Sequence, residues 1–106
     1  MKFKGNYCAQ GDCNFFKVDV IPAGLSETDD RVIAHSETGH NHVLKGNAVR
    51  VYREDEFTSY LDVRETAKVV HLRSFDTHAP LSLPPGKYRV TRQREYVPEG
   101  FRVAAD

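Results

Sequence analysis

The chain has 106 residues, 40% of them hydrophobic, and its fifteen basic and fifteen acidic side chains cancel at pH 7. That length buries a core as one ordinary domain, here residues 1–106, without help from disulfides or a structural metal. The balanced charge excludes a disordered polyelectrolyte and disfavours a basic nucleic-acid binder, and no apolar run approaches the roughly eighteen residues of a membrane helix.

The first segment, "MKFKGNYCAQGDC", lacks the apolar run of a signal peptide, so a cytoplasmic location is expected. Cys8 and Cys13 are spaced C-x4-C, which is neither the C-x2-C of a zinc knuckle nor a redox motif, and reduced thiols are expected of them. Turn signals then cut the chain at short intervals: Gly11-Asp12, Pro22-Ala23-Gly24, Thr38-Gly39, Lys45-Gly46-Asn47, His78-Ala79-Pro80, Pro84-Pro85-Gly86 and Pro98-Glu99-Gly100. Such spacing favours strands over helices. The segments between, 14–21, 31–35, 47–54, 57–63, 67–73 and 87–97, are rich in β-branched and aromatic residues. Most alternate, as a strand's period of two requires: Phe57, Ser59, Leu61 and Val63 share one face, and Thr58, Tyr60 and Asp62 the other. One stretch, "LSETDDRVIA" at 25–34, offers Ser26 as the cap of a short helix. The expected fold is all-β with little helix: a small antiparallel β-sandwich, jelly roll or barrel.

The stretch "SETGHNH", 36–42, carries the first chemistry. His40 and His42 stand two apart, so on a strand both project from one face, within reach of a shared metal. A third ligand must come from elsewhere in the chain. His71 lies in "KVVHLR", on the face it shares with Val69 and Arg73, and antiparallel pairing would bring it opposite the pair. Three imidazoles plus water make an open site for Zn, Fe, Mn or Ni. His35, Glu37 and His78 are spare candidates; the alternative is that histidines beside a Thr-Gly turn are exposed or bonded to loop backbone and bind nothing.

Gly39, His40 and His42, followed far along the chain by Pro84 and Gly86, resemble the two motifs of the cupin family of small jelly rolls. The resemblance implies a cupin-like fold, with a metal held by histidines from both motifs and a glutamate. The sequence departs from that pattern twice. Lys45 and Gly46 occupy the place of the glutamate, and Arg89 that of the last histidine. A cupin-type ligand set therefore does not carry over, and the expected site is His40, His42 and His71.

The late stretch "RQREYVPEGFR", 92–102, alternates so that Arg92, Arg94 and Tyr96 share one face of a strand. Arginine and tyrosine are enriched in binding hot spots, which makes the strip a candidate partner surface. The competing reading pairs the arginines with Asp55, Glu56 or Asp62 across the sheet. Together, "AQGD", "SETGHNH" and "RQREYVPEG" resemble a group of small uncharacterised β proteins of bacteria and tailed bacteriophages. That likeness implies no activity and raises a virion component, a capsid decoration or head-associated protein, as an expectation.

No G-x-S-x-G, phosphate loop or H-E-x-x-H occurs, so a complete catalytic set is not recognisable. The leading expectation is a non-enzymatic structural or interaction module, forming a homo-oligomer or larger assembly, in the cytoplasm or a virion. The alternative is a cupin-like metal-binding protein or metalloenzyme. A third reading, a small-ligand or nucleic-acid binder on a sheet face, predicts salt-sensitive binding through Arg92 and Arg94.

Overall fold

A computed structural model describes residues 3–34, 41–72, 77–92, 94–97 and 100–103. Among them every regular element is a strand: β1 (Tyr7–Gln10), β2 (Cys13–Val18), β3 (Ser26–Thr28), β4 (Val32–Ala34), β5 (His42–Lys45), β6 (Val49–Asp55), β7 (Thr58–Val63), β8 (Ala67–Leu72), β9 (Thr77–Leu83), β10 (Gly86–Arg92), β11 (Arg94–Val97) and β12 (Gly100–Val103). They form a six-stranded sheet in the order β1-β2-β10-β7-β6-β3, a four-stranded sheet β4-β5-β8-β9 and the hairpin β11-β12. All pairings are antiparallel, as the sequence leads one to expect.

Alternation decides which side chains meet between the sheets. Phe15, Val51, Leu61, Val63, Tyr88 and Val90 point inward from the larger sheet, and Ile33, Leu44, Ala67, Val69, Leu81 and Leu83 from the smaller, in one continuous buried cluster. On β7 both faces are nearly closed, because Thr58 and Tyr60 are buried as well as Ser59, Leu61 and Val63. A crossing of the chain covers part of the outer face of the larger sheet. β2 and β3 are consecutive in sequence but four places apart in the sheet. The segment between them, residues 19–25, therefore passes over the outer side, where Val20 to Leu25 line a groove of about 290 Å³ with Tyr52, Asp62 and Lys87.

The stretch 25–34 is not a helix. It gives two three-residue strands in different sheets, joined by local turns in which the Thr28 hydroxyl accepts from the Asp30 amide (3.1 Å) and the Asp30 carboxylate from the Val32 amide (3.0 Å). Side chains that bond their own backbone two residues on compete with helix, and here they turn the chain from one sheet to the other. Within the segment 87–97, the residues up to Arg92 belong to β10 in the large sheet, and Arg94–Val97 form β11, which pairs with β12. On the smaller sheet, β9 is an edge among the described strands, and the β8–β9 register shifts between Val69↔Leu81 and His71↔His78, so that the bulge takes up the exposed Pro80.

Candidate metal centre

The polar part of the interior begins at the β1–β2 hairpin. Gln10 pairs with Cys13, leaving Gly11 and Asp12 as a two-residue loop. Gly11 has φ +58°, and no non-glycine described residue has positive φ, which is the pattern of a type II′ turn. Gly11 is required for contact as well as conformation, since a Cβ there would lie 2.5 Å from Cε1 and 2.8 Å from Nδ1 of His71. The turn thus lies directly on an imidazole of the opposite sheet.

His42 on β5 and His71 on β8 are direct cross-strand partners. Both are fully buried, and their rings stack with centroids 3.9 Å apart and planes 10° from parallel.

The larger sheet completes the surroundings of His42. Gln10 Nε2 donates to the Val69 carbonyl at 2.9 Å, which fixes the amide orientation and turns Oε1 toward His42 Nδ1, also at 2.9 Å. Nδ1 therefore carries a hydrogen and donates it. The other ring nitrogen, Nε2, lies 2.9 Å from Asp12 Oδ1, a contact that holds one shared proton. The Asp12 side chain is 1% exposed, and its second oxygen, Oδ2, is buried with no hydrogen-bond partner among the described residues. A buried carboxylate oxygen without a partner is costly.

Asp12, His42 and His71 each offer one ligand atom, and these atoms lie within 4.8 Å of one another. Metal bonds of about 2.1 Å at tetrahedral angles set ligand atoms roughly 3.4 Å apart. To admit an ion, the His42–Asp12 contact would have to open by about half an ångström and the two parallel rings would have to tilt out of their stack, because an ion lies in the plane of each imidazole that binds it. The shared proton is what such an ion would replace.

The structure places the expected residues unevenly. It brings His42 and His71 together. His40 lies outside the described residues, as do His35 and Glu37; for His78 only the backbone pairing opposite His71 is described. Arg89 sits beside Tyr60 and Phe16 on the outer side of the large sheet, away from the cluster, and Lys45 is exposed. Neither position at which the cupin pattern would supply its remaining ligands thus faces the cluster. Asp12 and Gln10 were not legible as site residues; Gly-Asp between alternating segments signals only a two-residue hairpin. Cys8 and Cys13 form no disulfide. Burial raises the Cys8 thiol, which disfavours it as a thiolate ligand.

Of the candidate partner strip, Arg94 and Tyr96 share β11, and Arg92 lies at the end of β10. Arg92 ends β10 opposite Cys13, with its guanidinium 5.0 Å from the Phe57 ring centroid, whereas Arg94 pairs with Val103 and Tyr96 with Phe101 in the terminal hairpin.

Residues 9–93 match the family model described as a domain of unknown function, DUF8820, which takes in β2 through β10 and the whole Gln10–Asp12–His42–His71 cluster. The chain belongs to the DUF8820 family. No curated protein and no solved structure matches the DUF8820 chain. The family description carries no activity, partner or source, so the virion expectation rests on the motifs alone.

Proposed function

We propose that the DUF8820 chain is a non-enzymatic metal-binding module in which Asp12, His42 and His71 hold one transition-metal ion that fastens the two sheets together. One observation carries the reading: three ligand atoms, drawn from a hairpin tip on one sheet and two central strands on the other, converge within 4.8 Å where all three residues are buried. Two imidazoles and a carboxylate, without thiolate, suit zinc and its first-row neighbours better than calcium or magnesium. Burial supports a structural role, since it keeps bulk water and substrate from the fourth position that three protein ligands leave. Gln10, holding His42 Nδ1, directs Nε2 toward the ion, the outer-shell support that ligating histidines ordinarily have.

Elemental analysis of the purified chain after incubation with zinc and desalting tests this, alongside thermal denaturation. About one ion per chain is expected. At a hundredfold excess over Kd the ion adds about 2.7 kcal/mol, a rise in Tm on the order of 10 °C for a chain of this size. Asp12→Asn and His42→Gln should each abolish both effects. A wild-type chain that retains no ion, and whose Tm does not respond to zinc, manganese, iron(II) or nickel, overturns the reading.

A further inference from the structure

The cluster is buried, so an ion reaches it only when some wall of the site moves. His42 and His71 stand on strands hydrogen-bonded on both sides, β5 between β4 and β8, and β8 between β5 and β9. Neither is free to swing away from the interior. Asp12 is held differently. It occupies the tip of a hairpin whose outer strand, β1, has four residues and pairs with β2 alone among the described strands. What fastens that tip to the opposite sheet is a small set of contacts: Gln10 to Val69 and to His42, His42 to Asp12, the seat of Gly11 against His71, and the burial of Cys8 and Cys13 at the margin of the core cluster.

We infer that the β1–β2 hairpin tip, residues 8–13, is the movable wall of this site, opening to admit the ion and clasped shut by it. This rests on the metal reading above. Local opening of an edge hairpin is cheaper than opening a sheet centre, because fewer hydrogen bonds and less buried area are lost. An ion bound only to the closed form suppresses that opening in proportion to its excess over Kd. The clasp works because residue 11 has no side chain to hold the tip off the imidazole.

Hydrogen exchange on the full chain, with EDTA or with zinc at about a hundred times Kd, reads the opening directly. Amides of residues 8–13 should exchange about a hundredfold more slowly with zinc, and those of the β6–β7 hairpin should change far less. Equal slowing throughout the chain overturns the inference, as does slowing at β5 and β8 with residues 8–13 unchanged; in both cases zinc binds and the metal reading survives. No zinc response in any segment overturns both. A pair of variants gives a second measure. Gly5 has nearly the same φ, +60°, but no atom lies within 4 Å of where its Cβ would be. Gly5→Ala therefore carries the backbone strain without the contact. Gly11→Ala should weaken zinc binding at least tenfold relative to Gly5→Ala, and equal affinities in the two variants would count against the seated tip.

Discussion

Val69 and His71 stand two residues apart on β8, both fully buried on one face, in opposite surroundings. The rung through Val69 runs Leu44–Val69–Leu81, all apolar; the next begins His42–His71. Burying an aliphatic side chain contributes about 1.5–3 kcal/mol and makes no demand on direction. An imidazole brings two ring nitrogens that must each find a partner, and those of His42 find theirs across the core. The partners come from the larger sheet, as Gln10 and Asp12. The apolar rung needs only shape from across the core, whereas the polar rung needs particular residues at particular atoms, and this is why it becomes a site.

Substitutions on the two rungs separate these demands. The largest effect is expected for His42→Leu, which keeps the volume but leaves the buried Asp12 carboxylate and Gln10 Oε1 without their partner. Removing one member of a buried pair costs about 3–5 kcal/mol, measurable by urea denaturation, and zinc binding should disappear with it. Leu81→Ala should cost a similar or slightly smaller amount, about 2–5 kcal/mol, while zinc stoichiometry stays at one. A metal-free Leu81→Ala chain would show that the two rungs are not separable.

A smaller effect concerns alkaline pH. Burial pushes the Cys8 thiol above its ordinary 9.0 and the Tyr88 phenol above 10.0; the phenol also donates to the Pro84 carbonyl at 2.6 Å. Both groups keep their protons longer in the folded chain than in the unfolded one. Their contribution is complete below pH 9 and is lost as pH rises through 9 and then 10 toward the folded values. Stability followed by urea midpoint should fall over that range, and Cys8→Ala should flatten the portion between pH 9 and 10. The smallest expected change is at the exposed Glu27–Arg50 pair, 3.8 Å apart with side chains 49% and 62% exposed. Glu27→Gln should alter stability by less than about 0.5 kcal/mol and leave zinc affinity unchanged.

The contrast between the rungs also explains what could be read from the chain. β6, β7 and β8 are long, alternate cleanly and carry β-branched or aromatic residues, so period alone reveals them. β1, β3 and β4 have three or four residues, too few for a period to register. β9 contains Pro80 and a bulge, both of which read as punctuation. The meeting of His42 with His71 follows from antiparallel pairing of neighbouring strands. Asp12 is thirty residues from His42 and in the other sheet. No strand period records which hairpin tip will lie over which rung, so its part in the site emerges only when the two sheets are packed.

Pro80 has a consequence for how copies of the chain coexist in solution. With zero net charge at pH 7, the molecules have little long-range repulsion to hold them apart. Among the described sheet edges, β1, β3 and β4 are too short to template much pairing, but β9 has seven residues. An exposed proline at its bulge removes a backbone donor and kinks the ladder just where a second chain would extend it. The residue that interrupts the strand pattern thus makes this edge a poorer template for pairing with a second chain.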